Sequence, residues 1–425
     1  MKIAEALPQG KKAGSIRGYC RFCETPLQHT VVDLGMSPPC NRILTFEQLN
    51  QLEAFYPLQV FVCDRCFLVQ LLEYVSPVEI FNEYSYFSSY SDSWLQHAKG
   101  YTETIVERFG LHGQSQVVEI ASNDGYLLQY FMEKGIPVLG IEPAANVAEV
   151  ALQKGIPTVV KFFGEQTAHE LVAEGRQADL LIGNNVLAHV PNLNDFVAGM
   201  KILLKPHGAI TMEFPHLMRL MECNQFDTIY HEHFSYFSFT TVERVFAAHG
   251  LTLFDVEELP THGGSLRIYG CHTEDQSKPI RDRVTELKHR EDAAGLTRLD
   301  TYFTFSEQVK ATKRKLLEFL IAVKNQGKSI VGYGAPGKGN TLLNYCGIRS
   351  DFIDYTVDRS PYKQGQFLPG THIPIFHPDK IKETQPDYLL ILPWNLLEEI
   401  TEQMSYIRDW GGQFVVPIPE VQVYQ

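Results

Sequence analysis

Tyr230, His231, Glu232, His233, Ser235 and Tyr236 crowd into the stretch Asp227–Phe239, DTIYHEHFSYFSF. Each can give or take a proton. A buried polar group left without a partner costs about 1–3 kcal/mol, so a core segment does not gather them idly. A solvated loop could hold them cheaply, but Phe234, Phe237 and Phe239 interleave and point to burial. Acid/base groups set beside apolar packing are how a site tunes its pKa values for proton transfer. This segment reads as the chemical centre of the chain.

A second constellation is made of cysteines. Cys20-Arg-Phe-Cys23 and Cys63-Asp-Arg-Cys66 are two matched Cys-x2-Cys turns, each behind a short apolar or aromatic lead-in. One such turn folds two thiolates round an ion, and two complete a tetrahedral set. No base or open coordination position accompanies them, so the reading is a closed, structural zinc site with ligands Cys20, Cys23, Cys63 and Cys66. His29 and Cys40 lie between the pairs as possible substitutes, and Cys223, Cys271 and Cys346 read as lone core residues.

The elements that must position these groups follow from the apolar pattern. Val117–Ile120 is a buried strand with an acid, Glu119, near its end. A turn of small residues (Ala121, Asn123, Asp124, Gly125), a helix over 126–134 and the strand 138–142 complete a β–α–β unit that ends in Glu142 and Pro143. A carboxylate at that point is placed to accept ribose hydroxyls. The turn lacks the Gly-x-Gly-x-x-Gly of a dinucleotide fold. An acid followed by small residues fits S-adenosylmethionine better, which needs no pyrophosphate cradle. Further strands at 178–183 and 209–214 and a helix over 193–204 imply a doubly wound parallel sheet, with ligand loops 121–125, 143–146 and 184–189 at its carboxyl edge. The acid/base segment follows and can fold back over that edge. Strands over 253–259 and 266–271 come next, then a charged helical stretch at 274–300 and a long amphipathic helix over 302–325. A second α/β unit starts at 329, with glycines at its first turn, Gly334-Ala-Pro-Gly-Lys-Gly339, and Asp358 closing its second strand. That turn suits an anion at a helix N-terminus, but its spacing is not that of a phosphate-binding loop. The Tyr/Ser-rich stretch 77–93 reads as a packed segment or a polar lid.

Composition narrows the rest. A chain of 425 residues with 44% hydrophobic and 12% aromatic content can build two or three cores. A net charge of −13 without a Lys/Arg run speaks against nucleic acid. No apolar run approaches the ~18 residues of a membrane span. The first fifteen residues lack a signal-peptide core, and eight cysteines are too few for a disulfide scaffold. The expected location is therefore the cytoplasm.

The order of these parts resembles one family, the zinc-containing, S-adenosylmethionine-dependent C-3'-methyltransferases of nucleotide-linked 4-keto-deoxysugars. The resemblance is carried by the two cysteine pairs, VVEIASNDGYLL (117–128), GIEPAANVA (140–148), NNVLAHVPNLNDF (184–196), IYHEHFSYFS (229–238), THGGSLR (261–267) and GYGAPGKGNTLLNYCGI (332–348). One departure is Gly337, where the family more often has alanine. The resemblance implies an α/β protein with a small zinc-binding module (1–80), a Rossmann-like methyltransferase domain (81–300) and a Rossmann-like C-terminal domain that binds a nucleotide sugar (301–425).

It also implies roles. His233 is the base that takes the C3 proton, with Glu232 and Tyr230 beside it. Tyr230 or His189 donates to the ketone oxygen, a turn-capping role being the rival for His189, and Tyr84 joins the pocket. His231 is expected to face a structural partner. Glu142 accepts the ribose hydroxyls of the cofactor. Glu119 and Ala121 line its methionine side, and Asn184 or Asn185 approaches its amino-acid group. The partner is a dTDP- or GDP-type 4-keto-sugar, with Arg267, Tyr333, Lys338 and Asn340 as candidates for its nucleotide diphosphate. The competing readings are an O- or N-methyltransferase of another small molecule, for which the acid/base segment is superfluous, and a redox role for the C-terminal unit.

Overall fold

The computed structural model describes residues 18–81 and 87–425. Three sheets organise them. The first is antiparallel and holds His29–Ser37, Tyr56–Val62, Val69–Leu71 and, far along the chain, Ser235–Tyr236. Its fourth strand is thus part of the acid/base segment: Val69 pairs with Tyr236 and Gln70 with Ser235. The cysteine pairs sit at one end of its first hairpin. Both close in the same way, with Glu24 N–H donating to Cys20 O at 2.9 Å and Phe67 N–H to Cys63 O at 2.9 Å. Glu24 and Phe67 take positive φ angles of 59° and 62° to make those turns.

The second sheet has seven strands in the order Leu251–Leu259, Ser265–His272, Leu204–Pro215, Ala178–Asn184, Val117–Ile120, Val138–Ile141, Thr158–Val159. The last five in that order run parallel. Of the first two only Ser265–His272 runs the other way, pairing antiparallel with both Leu251–Leu259 and Leu204–Pro215. The sheet is therefore mixed rather than all parallel. The connection over 260–264 is too short for the crossover that parallel strands need. The chain changes direction across the sheet between Val117–Ile120 and Ala178–Asn184, and a crevice opens at the carboxyl ends of strands at such a switch.

The third sheet is formed by Ile375–Phe376, Thr356–Val357, Ile330–Tyr333, Tyr388–Ile391, Gln413–Val416 and the antiparallel Gln422–Tyr424. Helix Gly337–Cys346 starts at its glycine turn. The second strand of this unit, which Asp358 closes, is only Thr356–Val357.

One hydrophobic core runs through all three parts. Val60 and Leu71 from the cysteine module, Phe226 and Ile229 leading into the acid/base segment, Phe305 and Leu316 from helix Leu299–Asn325, and Leu342 and Leu390 from the third sheet belong to it. That helix spans about 40 Å at 1.5 Å per residue and packs on His29–Ser37. The acid/base segment is thus sandwiched where the three units meet. Behind it, the buried carboxylate of Glu291 accepts from His216 Nε2 (2.7 Å) and from the amides of Phe239 and Thr240 (2.6 and 2.8 Å), closing the first turn of helix Phe239–Ala248.

Candidate active site and metal centre

The four cysteine sulfurs lie within 4.8 Å of one another, with Sγ–Sγ separations of 3.5 Å (Cys20–Cys66 and Cys23–Cys63) and 3.6 Å (Cys23–Cys66). Tetrahedral zinc with bonds near 2.3 Å holds sulfurs about 3.8 Å apart, so this donor set fits zinc. Three of the four cysteines are buried, and Thr241 Oγ1 and Arg244 reach from the middle domain to Cys66 O, both at 3.3 Å. The site is closed, as a structural site should be.

A cavity of about 680 Å³ occupies the crevice of the middle sheet. One end is walled by Ala121, Asn123, Glu142, Pro143, Asn184 and Asn185. Ala121 and Asn123 adopt positive φ (56° and 49°), which turns the chain sharply off its strand. The buried Glu142 carboxylate holds that turn, accepting from Asn123 N (3.0 Å) and Ala144 N (2.8 Å). Burial raises its pKa. Its oxygens retain lone pairs for ribose hydroxyls. Asn185 Nδ2 meets His262 Nε2 at 3.2 Å, while its Oδ1 is buried without a partner, an acceptor that a ligand ammonium would satisfy. This end fits S-adenosylmethionine.

Glu119, Asp124 and Gly125 stand behind the wall. Glu119 is buried on its strand, where desolvation pushes its carboxyl well up. Asp124 is held by Lys154 (3.4 Å) and by Ser89 N–H (3.3 Å). Gly125 has φ +75°, and a Cβ there would lie 2.2 Å from Ile156 Cδ1, so its left-handed backbone and its packing both call for glycine. The neighbouring Ser88 N–H donates to Asn123 Oδ1 at 2.9 Å, so the end of the Tyr/Ser-rich stretch straps this turn.

The other end is walled by Tyr230, Glu232, His233 and His189. His233 Nδ1–H donates to Thr228 O at 3.0 Å, which leaves Nε2 as the acceptor. Its ring lies 4.0 Å from that of Tyr230 and 4.7 Å from that of His189, centroid to centroid. Burial, followed by the neighbouring His189, drives its pKa well below the usual value, and the imidazole is neutral. Desolvation brings His189 down to about 4, against the opposing pull of the Glu232 carbonyl. Glu232 is pushed up to about 7 by burial, against a hydrogen bond from Asn41 Nδ2 to its Oε1 at 2.7 Å. His231 turns away from the cavity. Its Nε2 bonds Pro57 O at 3.3 Å and its ring meets Tyr56 edge-on.

The C-terminal domain closes the cavity with Pro336, Gly337, Lys338, Lys363 and Asn395. Lys338 Nζ donates to Asn395 Oδ1 (2.7 Å) and lies over the Trp394 ring. Trp394 Nε1 in turn donates to Asp227 Oδ2 at 2.7 Å, joining this domain to the start of the acid/base segment.

Three expected diphosphate ligands are placed elsewhere. Arg267 is buried on the edge hairpin against its register partners Glu213 and Glu257, with Nη2 2.9 Å from Glu213 Oε2. Tyr333 is buried in the third sheet and donates to Gln403 Oε1 at 3.2 Å. Asn340 donates to Cys40 O at 2.6 Å. Asp358 is likewise spent on backbone amides, accepting from Ala335 N of the glycine turn and from Ser360 N of its own loop, both at 2.8 Å. Tyr84 lies outside the described residues. Cavity residues that sequence reasoning passed over include Asn41, Trp94, His262, Lys363 and Asn395. His262 alone had a local signal, the turn Thr261-His-Gly-Gly264 quoted as a motif.

Fold and cavity together define an S-adenosylmethionine-dependent methyltransferase flanked by a zinc module and a second α/β domain. Family models agree in order along the chain: a zinc binding domain matches residues 20–81, a methyltransferase domain 94–256, and a C-methyltransferase C-terminal domain 260–419. The C-methyltransferase NovU of Streptomyces niveus is 36% identical over 404 residues, which are 95% of this chain and 96% of NovU. The chain belongs to this C-methyltransferase family. Among solved structures, magnesium protoporphyrin IX methyltransferase from Synechocystis PCC 6803 with bound SAM covers 42% of this chain and 79% of its own at 14% identity and a TM-score of 0.32. The PH0226 protein of Pyrococcus horikoshii OT3 covers 48% and 99% at 15% identity and a TM-score of 0.36. Overlaps of that size carry no weight beside the family models and NovU. Among the described residues no helix is long and apolar enough to cross a membrane.

Proposed function

We propose that this C-methyltransferase removes the C3 proton of a nucleotide-linked 4-keto-deoxysugar and methylates the enolate that results. The observation that carries the reading is a single cavity with the Glu142 turn at one end and His233, Glu232 and Tyr230 at the other. A carbon becomes a nucleophile only after losing a proton, and a proton beside a ketone is acidic because the carbonyl takes up the charge. The bound cofactor supplies an electrophilic methyl group; the chain supplies the rest.

His233 Nε2 takes the C3 proton, its tautomer set by Thr228 O and its neutrality by burial. Tyr230 or His189 donates to the developing oxyanion at O4. Glu232 beside them takes up or returns a proton near neutrality. On the cofactor side, Glu142 accepts the ribose hydroxyls and Asn185 holds the amino-acid group. At the mouth, Lys338 and Lys363, beside the N-terminus of helix Gly337–Cys346, suit the diphosphate of a dTDP- or GDP-linked sugar.

The test is incubation with methyl-labelled S-adenosylmethionine and either nucleotide-linked 4-keto-6-deoxysugar, with the product examined by NMR. A new methyl on C3 is the expected result. Label on an oxygen or nitrogen, or on no 4-keto-sugar at all, overturns the proposal.

A further inference from the structure

We infer that Asn41, a residue of the zinc-binding module, is a positioning residue for Glu232. The inference rests on the reading that the Asp227–Phe239 segment carries the proton chemistry. Asn41 Nδ2 donates to Glu232 Oε1 at 2.7 Å, and both residues line the reaction cavity. Glu232 is 5% exposed, so water does not readily take over that contact.

The loop that delivers Asn41 is fixed on every side. It leaves the strand His29–Ser37 at the end opposite the cysteines, roughly 25–30 Å away along the hairpin at about 3.3 Å per residue. Ile43 N–H closes on Asn41 O at 2.9 Å. Asn340 holds Cys40 O at 2.6 Å, and Leu44 and Phe367 exchange two backbone hydrogen bonds of 2.9 Å with the C-terminal domain. Gly337 completes the fit. A Cβ there would stand 2.8 Å from Cys40 Sγ and 3.4 Å from Asn41 Oδ1. Glycine at 337 thus leaves room for the Cys40 side chain beside Asn41.

The chemistry of the donor matters. A neutral amide orients the carboxylate and favours its ionised form without supplying a charge, so Glu232 still titrates near neutrality. A lysine or arginine there would hold it ionised throughout. The groups facing Glu232 do not take over this part. Cys40 Sγ, on the same loop, is 3.9 Å away and its thiol is pushed far up by burial. His189 and His233 are neutral, and His231 faces Pro57. Lys338 and Lys363 line the cavity from the third domain but are bonded to Asn395 Oδ1 and Ala335 O.

The experiment compares wild type with Asn41→Ala and Asn41→Asp, with Glu232→Gln to assign the signal. The Glu232 carboxyl is titrated by carbon NMR in protein without cofactor, and C3 deuterium exchange of the keto-sugar is followed against pH. Losing a charge-assisted donor is expected to raise the midpoint in Asn41→Ala by about one pH unit or more. In the near-isosteric Asn41→Asp two carboxyl groups compete for a proton, and the midpoint rises as well. Zinc content and S-adenosylmethionine affinity should stay within about twofold of wild type, which separates the effect from misfolding. Midpoints unchanged in the variants overturn the inference. Wild-type protein that exchanges C3 in no 4-keto-sugar sinks the reading of the reaction instead, while the carboxyl titration still judges Asn41.

Discussion

The His233→Asn substitution tests the proposed base with little else disturbed. The asparagine amide reaches the position of Nδ1, so it can keep the hydrogen bond to Thr228 O that the imidazole makes at 3.0 Å. What it lacks is an acceptor where Nε2 meets the cavity. A positioned general base contributes about 10²–10⁴-fold, which is roughly 3–5.5 kcal/mol at about 1.36 kcal/mol per decade. Because the imidazole is held well below its usual pKa, more than about nine-tenths of it is neutral at pH 7.5, and none of that loss is masked by protonation. The expected result is a fall of about a thousandfold in both turnover and cofactor-free C3 deuterium wash-in, with S-adenosylmethionine binding retained. The same burial makes a second demand. His233 cannot supply an inflection at neutral pH, so any inflection near 7 in the wild-type profile belongs to Glu232 and should vanish in Glu232→Gln. C3 exchange in His233→Asn at more than about a tenth of the wild-type rate would refute the assignment, because a positioned general base typically contributes at least about a hundredfold.

Three further outcomes are expected. Cys63→Ser removes a thiolate ligand, so zinc content and melting temperature should both fall, and the amides of Ser235 and Tyr236, which pair with Val69–Gln70, should exchange faster; full zinc with unchanged melting would count against a structural metal. Glu291→Gln weakens a carboxylate that accepts from His216, Phe239 and Thr240 and should cost about 2–4 kcal/mol in urea unfolding at pH 7. Because those partners hold the Glu291 carboxyl below its usual range, the wild type's advantage should shrink as pH falls below about 4.5. Trp394→Phe strips the donor from Asp227 Oδ2 and should destabilise by about 1–3 kcal/mol; burial pushes that carboxyl up to about 6, so the loss should be larger at pH 8, where it is ionised, than at pH 5, and an equal loss at both would refute the account.

Much of this site could be read before any coordinates, and the reason is that its signals are local. Two Cys-x2-Cys turns specify a tetrahedron by spacing alone. Val117–Ile120 and Ala178–Asn184 are apolar runs bounded by small residues, and the rule that ligands sit at the carboxyl ends of such strands puts Ala121, Glu142 and Asn184 at the crevice. The failures lie where partners come from distant parts of the chain. Arg267 follows a glycine turn and looks like a phosphate ligand, but its strand is the middle of an antiparallel edge whose register sets it between Glu213 and Glu257. Asn340 has the right motif and the wrong neighbour, since Cys40 O arrives from 300 positions away. Asn41 stands in an unremarkable turn, and only the docking of three units brings it to Glu232. The direction of the strands over 253–259 and 266–271 stays open in the sequence because apolar alternation gives strands without their direction; the short link over 260–264 makes them an antiparallel hairpin.

The same long-range pairing explains why a zinc module belongs on this enzyme. Its four cysteines clamp one end of a hairpin whose other end presents Asn41 to the cavity. Its third strand takes Ser235–Tyr236 as a partner, Leu71 N–H reaches Phe234 O at 3.0 Å, and Pro57 O receives His231. The segment Tyr230–Tyr236 is therefore gripped along its length by the module, while Asp227 is tied by Trp394 to the third domain. A segment with only two residues in strand has little local structure to hold its side chains. Rigid neighbours on both sides supply what its own hydrogen bonds cannot. On this account the metal acts on the reaction through geometry, and its removal should loosen Glu232 and His233 before it unfolds the methyltransferase sheet, one face of which packs in a core that holds no residue of the module.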